Sequence, residues 1–310
     1  MAGEQVCGKH HQVVIRIRGE QSMNLTVLIL TLNEEVNLPH ALRSVAGWAD
    51  QIIVVDSFSH DRTVEIARSY GAIVYQNEFV NHVHQRNWAL EVPKYLHEWV
   101  LYIDADEQVT PELRREIDQT LRTVSEQVAG FEMRRRYIFL GRWLKHGGSY
   151  LRTLRLLRLG RSRFVASARA GEYAVVQGKV ERLINDLLHH DQRSLAQWIK
   201  NQNHDTSCMA LKLFDAGGEI KPPRLGKREI QEGRIRAYLN RLFFRMPLAV
   251  NPILRFLIAY FLRGGWLDGW QGFVFCALHP FCVNLLISVK MREFAQSPYA
   301  LEEARHTRWR

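Results

Sequence analysis

Leu25–Leu32, LTVLILTL, is apolar at almost every position, rich in Val, Ile and Thr, and runs directly into Asn33-Glu34-Glu35. Such a run fits a strand buried on both faces of a parallel sheet. Gln51–Asp56, QIIVVD, repeats the pattern and stops at a carboxylate, and Trp99–Ile103 repeats it once more before Asp104-Ala105-Asp106. Helices are predicted over 38–49, 62–70 and 85–97, with a short strand at Ala72–Tyr75 after Gly71. Strand and helix alternating at this spacing make a right-handed βαβ series, hence an α/β fold with a mostly parallel sheet and flanking helices. Glu34, Asp56 and the Asp104/Asp106 pair then all lie at C-terminal strand ends, where open α/β sheets bind their ligands, and so belong to one site.

Further along, Pro111–Val124 reads as an amphipathic helix, Gly130–Leu140 and Arg155–Leu159 as strands separated by a Gly147-Gly148 loop, and 194–214 as a helix. Gly217-Gly218 and Pro222-Pro223 mark a boundary, beyond which the chain is helical and of different character. Three regions are expected: an extension at 1–22 outside the fold, a catalytic domain at 23–220 and a helical, basic and aromatic region at 221–310.

The 310 residues are 46% hydrophobic and 24% charged, which excludes collagen-like and wholly disordered classes. The net charge of +10 could suggest nucleic acid, but residues 221–310 carry 15 basic and 6 acidic side chains, nearly the whole excess. Aromatic and aliphatic runs are densest in the same region, so an anionic membrane surface explains both features and no nucleic-acid partner is expected. Cys7, Cys208, Cys276 and Cys282 form no metal-finger or CxxC spacing, and residues 1–22 contain no signal-peptide core, which places the chain in a reducing cytosol.

Two carboxylates one residue apart on a strand-to-loop turn, as in Asp104-Ala105-Asp106, suit a hard divalent ion such as Mg2+ or Mn2+ that keeps positions open for phosphate oxygens. Neither a Walker-type phosphate loop nor GxGxxG follows the first strand. Taken together, Thr31-Leu32-Asn33-Glu34, Val55-Asp56-Ser57 with Asp61-Arg62-Thr63, Gln85-Arg86-Asn87 with Ala89-Leu90, and Tyr102-Ile103-Asp104-Ala105-Asp106-Glu107 resemble family 2 glycosyltransferases of the GT-A fold, most of all bacterial lipopolysaccharide-core β-glucosyltransferases. The resemblance spans roughly residues 23–210. It implies that Leu32, Glu34 and Asp56 hold the nucleotide base and ribose and that Arg86 approaches the diphosphate. By the same resemblance Asp106 is the main metal ligand, with Asp104 beside the ribose and metal.

The chain departs from that pattern twice. Phe58, His60 and Arg62 stand in the loop after the second strand where relatives carry small residues, and Ala168-Arg169-Ala170-Gly171-Glu172 replaces a Val-His-Glu segment. Glu172 is the candidate base for the acceptor hydroxyl. In His189-His190-Asp191, His190 is the candidate ligand or donor at the metal. Arg152, Arg155, Arg158, Arg161 and Arg163, alternating with leucines, read as a strand with a solvated face, with Arg155 at a family position near the acceptor side.

From Ile235 to Phe294, aromatic and aliphatic patches are punctuated by Arg236, Arg241, Arg245, Arg255 and Arg263. Gly269–Val289 has no Asp, Glu, Lys or Arg over 21 residues, yet Gln271, His279, Pro280 and Asn284 favour a monotopic helix over a span. The resulting expectation is an inverting, metal-dependent transferase, peripheral on the cytoplasmic membrane face, that moves a hexose from a nucleotide-sugar, UDP-linked, to a saccharide or lipid-linked acceptor. The rivals are transfer to a polyprenyl phosphate and a non-catalytic membrane-binding protein with a decayed domain.

Overall fold

The computed structural model describes residues 24–95, 97–148, 150–166, 172–215 and 250–307. The sequence readings at 1–22, Gly217-Gly218, Pro222-Pro223, Arg236, Arg241 and Arg245 fall outside them, as do those at Ala168–Gly171.

The apolar runs form β1 (Leu25–Thr31), β2 (Gln51–Asp56) and β4 (Trp99–Asp104), and Ile73–Gln76 forms β3. All four are parallel and adjacent in the order β3-β2-β1-β4. The burial is two-sided, as the unbroken apolar pattern requires. Val27 and Ile29 pack with α1 (Leu38–Arg43) and α4 (Pro111–Thr123) on one face, while Leu28 joins Val55 and Tyr102 under α3 (His82–Glu91) on the other. Thr110 caps α4 by accepting from the Leu113 amide, with Pro111 in the first turn where its missing N–H costs nothing.

Two helices are shorter than read. α1 ends before a turn at Gly47, which takes φ +71°, and α3 ends at Glu91, because Pro93 lacks the N–H that would continue the helix. α2 (Thr63–Ser69) lies within the expected range.

Beyond β4 the sheet changes direction. β8 (Arg152–Arg158) is antiparallel to β4 and to β6 (Val128–Phe139), and β11 (Lys179–His189) is parallel to β6. β5 (Glu107–Val109) closes the edge antiparallel to β11, and β7 (Arg142–Leu144) pairs with β6. β9 (Ser162–Ala166) and β10 (Glu172–Val176) form a separate hairpin. Strands β5, β7, β10 and β11 have no sequence expectation behind them, because they are short or carry too many charges to stand out as apolar runs, while Arg163 of the expected arginine strand falls in the separate β9.

α5 (Leu195–Asp215) leaves the sheet, and the chain returns as α6 (Val250–Leu257), α7 (Gly269–Cys276), α8 (Asn284–Gln296) and α9 (Pro298–Thr307). Wide π turns extend α6 and join α7 to α8. Pro280 lies in the second of these, and Asn284 donates to its carbonyl at 2.8 Å. These helices pack on the rest of the chain. Ile287 and Phe294 bury against Ala210, Leu211 and Leu213 of α5, and Phe275 packs on Tyr137 and Phe139 of β6. Buried Asp268 accepts from the backbone amides of Lys145 at 3.2 Å and His146 at 2.8 Å.

Candidate functional site

The sheet order diverges at β1, with β2 on one side and β4 on the other, and the crevice outside their C-terminal ends collects the expected acidic residues. The loops after β1 and β2 are laced together. Ser59 Oγ accepts from the Asn33 amide at 2.8 Å, Thr63 Oγ1 from the Glu34 amide at 2.8 Å and Asp61 Oδ2 from the Glu35 amide at 3.1 Å. The hydroxyl and carboxylate residues of this loop therefore shape the first loop and need not touch a ligand. Asp56 is similarly engaged. It is fully buried, and its carboxylate accepts from the Thr31 hydroxyl at 2.9 Å and from the Ser59 amide at 2.9 Å. Leu32 and Phe58 stand exposed at the rim, Phe58 with φ +58°, a left-handed conformation uncommon for a bulky side chain.

Glu34 sits in a network invisible to linear reading. Arg193 approaches it at 3.3 Å while gripping Asp191 at 2.9 and 3.1 Å, and Asn37 donates to Glu34 at 2.9 Å and to Asp191 at 3.1 Å. The segment after β11 is thereby tied to the loop after β1. Burial pushes the Glu34 carboxyl up to about 7, outweighing Arg193 and Asn37. The folded protein thus holds this proton more tightly than the unfolded chain, so stability falls as pH rises from about 4.5 to about 7, and the full cost applies above that window. Glu34→Gln is expected to raise stability at pH 8 by on the order of 1–3 kcal/mol and to leave it nearly unchanged at pH 4. Thermal unfolding at the two pH values measures this, and a gain independent of pH counts against the burial effect.

At the end of β4, Asp104 lies in a cage. Its Oδ2 accepts from Arg155 at 2.6 Å, and its Oδ1 accepts from the Tyr102 hydroxyl and lies 3.4 Å from Arg86, whose guanidinium rests over the Tyr102 ring at 4.2 Å. Burial opposes ionisation, yet Arg155 and Arg86 hold this carboxyl well below the usual carboxylate range. Glu107 is fully buried one turn on. It accepts from the Asp104 amide at 2.9 Å and from Arg155 at 2.7 Å, and so fixes the turn that presents Asp106. The expected solvated arginine face is corrected here. Arg155 and Arg158 are buried, and Arg155 is the cation that Asp104 and Glu107 share. Arginine on a strand reads as surface unless its carboxylate partners are known, and these lie 48 and 51 positions away.

Asp106 Oδ1 is buried without a hydrogen-bond partner, and so is His189 Nδ1, which lies 3.3 Å from it. The pairing of β11 with β5 sets His189 opposite Glu107 and brings its ring here, stacked on Tyr137 at 4.6 Å. Burial alone would lower the His189 pKa, but Asp106 raises it. His190 offers its backbone amide, which donates to the Asp106 carbonyl at 2.9 Å. The imidazole at Asp106 is therefore that of His189, one residue before the expected one.

A carboxylate oxygen and an imidazole nitrogen, each lacking another partner, fit a divalent cation. Among the described residues no group of three or more His, Cys, Asp or Glu side chains is placed to hold a metal ion. Asp104, with both oxygens engaged by Arg155, Arg86 and Tyr102, supports the site from behind. Nearby, Asn87 clamps β9 by exchanging hydrogen bonds with the Phe164 backbone at 3.0 and 2.7 Å. Glu172 opens β10 opposite Ala166 on that clamped hairpin.

Residues 26–177 match the family described as Glycosyl transferase family 2. An uncharacterized glycosyltransferase of Rickettsia typhi is 25% identical over 87% of both chains. The lipopolysaccharide core biosynthesis glycosyltransferase LpsC of Rhizobium meliloti is 28% identical over 81% of this chain and 85% of its own length. Among solved structures, mannosyltransferase PcManGT of Pyrobaculum calidifontis, in complex with GDP-Man and Mn2+, aligns with a TM-score of 0.45 at 16% identity, covering 92% of this chain and 86% of that one.

Proposed function

Because the chain belongs to glycosyl transferase family 2 and so uses a nucleotide-sugar, we propose that it transfers a hexose, with inversion, from a UDP-sugar to a lipopolysaccharide-core or lipid-linked saccharide at the inner face of the cell membrane. The observation that carries the reading is the pair Asp106 Oδ1 and His189 Nδ1, which face each other at 3.3 Å and have no further hydrogen-bond partner, at the divergence of the sheet. Similarity to LpsC supports the class of acceptor.

Asp106 and His189 would hold Mg2+ or Mn2+, and the bound ion offsets charge on the departing diphosphate. Arg86, resting on Tyr102 beside Asp104, supplies a cation on the diphosphate side. The loops after β1 and β2, through Leu32, Glu34 and the framework built on Asp56, receive the base and ribose. Glu172 removes the acceptor proton while the acceptor oxygen attacks the anomeric carbon from the face opposite the diphosphate.

Incubating the purified chain with nucleotide-sugars and Mn2+ or Mg2+ tests this reading, with slow metal-dependent hydrolysis of a UDP-hexose as the expected result. Absence of hydrolysis and of UDP binding across the panel overturns it. Once an acceptor is in hand, Glu172→Gln should lower transfer by about 10²–10⁴-fold with donor affinity preserved. Equal losses in transfer and donor binding would make Glu172 structural.

A further inference from the structure

The run Gly265–Gln296 is long and apolar enough to cross a bilayer, but its placement argues for another use. Its inner face is committed to the rest of the chain. Phe275 lies 5.3 Å from the Tyr137 ring and 5.5 Å from that of Phe139, Asp268 binds His146 at 3.0 Å, and Ile287 and Phe294 are buried against α5. The start of this helix is bonded through buried Asp268 to the loop after β7, which places it against the catalytic domain.

The outer face is different. From Val250 to Phe273 ten residues are exposed: Val250, Ile253, Leu257, Phe261, Leu262, Arg263, Trp266, Leu267, Trp270 and Phe273. All but Arg263 are apolar, and Leu262 is 80% and Trp270 62% exposed. The single acidic residue of this stretch, Asp268, is buried and satisfied. Scattered exposed apolar residues are ordinary, but a continuous face of them marks an interaction surface. The rim is cationic. Exposed Arg142 reaches the Leu267 carbonyl at 3.5 Å, exposed Lys145 donates its amide to Asp268, and the Arg263 carbonyl accepts from the Gly147 amide at 2.9 Å.

We propose that this face, centred on Leu257, Phe261, Leu262, Trp266 and Trp270, seats in the interfacial layer of an anionic phospholipid bilayer, with Arg142, Lys145 and Arg263 at phosphate level, holding the chain monotopically. Apolar side chains with tryptophans and a cationic rim match a bilayer interface, and the absence of an exposed carboxylate between Val250 and Phe273 matches a negatively charged leaflet. Phe275, behind this face, packs on Tyr137, which stacks on His189, so the reaction centre lies two aromatic rings from the membrane-seated helices. A lipid-linked acceptor would thereby be presented to the site by the surface that holds the enzyme.

The test is co-sedimentation of the full chain with vesicles of phosphatidylcholine alone or mixed with phosphatidylglycerol, alongside donor hydrolysis in detergent. The wild type should bind the anionic vesicles preferentially and be released by alkaline carbonate. Trp266→Ser with Trp270→Ser should weaken binding by about 100-fold, and Arg263→Glu by about 10-fold on anionic vesicles only, with UDP-sugar hydrolysis unchanged in both. Retention after carbonate, variants that sediment like the wild type, or a soluble dimer that ignores vesicles would each overturn the proposal. Hydrolysis in detergent is read separately, so loss of membrane binding and loss of the transferase reading are distinguishable.

Discussion

Asp106→Ala should abolish turnover while leaving the fold intact. Truncation removes the ion pair of Asp106 with His189 at 3.3 Å and keeps the hydrogen bond of the Asp106 carbonyl with the His190 amide. Little stability is lost, whereas the site loses the carboxylate placed to hold a cation against the diphosphate. Stabilisation of the departing charge of several kcal/mol is at stake, and at 1.36 kcal/mol per tenfold a loss of about 10³-fold or more is expected. EDTA should reproduce the loss in the wild type and add nothing in the variant. The sharper comparison lies between neighbours. His189→Ala should approach the Asp106 phenotype and weaken Mn2+ binding, whereas His190→Ala, which retains the backbone amide, should stay within about threefold of wild type. Full hydrolysis by Asp106→Ala in the presence of chelator would remove the metal assignment.

The largest effect on stability is expected from Arg155→Met. This buried guanidinium is shared by two carboxylates, 2.6 Å from Asp104 and 2.7 Å from Glu107, while the next cations, Arg86 and Arg135, stand at 3.4 and 3.5 Å. Removing it leaves the fully buried Glu107 and the partly exposed Asp104 without their principal partner, and stranding a buried charge in this way costs about 3–5 kcal/mol. Urea unfolding at pH 7 should show a loss of that size, and adding Glu107→Gln to the same chain should restore part of it by neutralising one uncompensated charge. A loss below about 1 kcal/mol, or no recovery in the double variant, would mean that the cage is more solvated than its geometry indicates. Activity should fall alongside, because Glu107 holds the amide of the Asp104 turn on which Asp106 is displayed.

The match between reading and structure divides along physical lines. β1, β2 and β4 were legible because strands buried on both faces are written as unbroken apolar runs, and their terminal carboxylates are read from the residue at which each run stops. β11 was not, since KVERLINDLLH alternates charge with apolar residues and its partners β5 and β6 lie far away in the chain. The sequence could not show that much of the polar chemistry of the loop after β2, in Ser59, Asp61 and Thr63, is spent on the loop after β1. Phe58, noted as a departure from the family, lies exposed in that loop.

What the sequence by itself determined is which runs form the parallel strands, the end of the sheet at which the acids gather and the basic, aromatic character of the C-terminal region, all properties of contiguous residues. What only the tertiary structure decided is which of two adjacent histidines meets Asp106, that Arg155 is buried between two carboxylates, that Arg193 joins Glu34 to Asp191, and that the long apolar run lies against the sheet. The reason is strand register. Side chains alternate between faces every residue, so the pairing of β11 with β5, set by hydrogen bonds between segments some 80 positions apart, turns His189 toward the site and leaves its neighbour only a backbone contact.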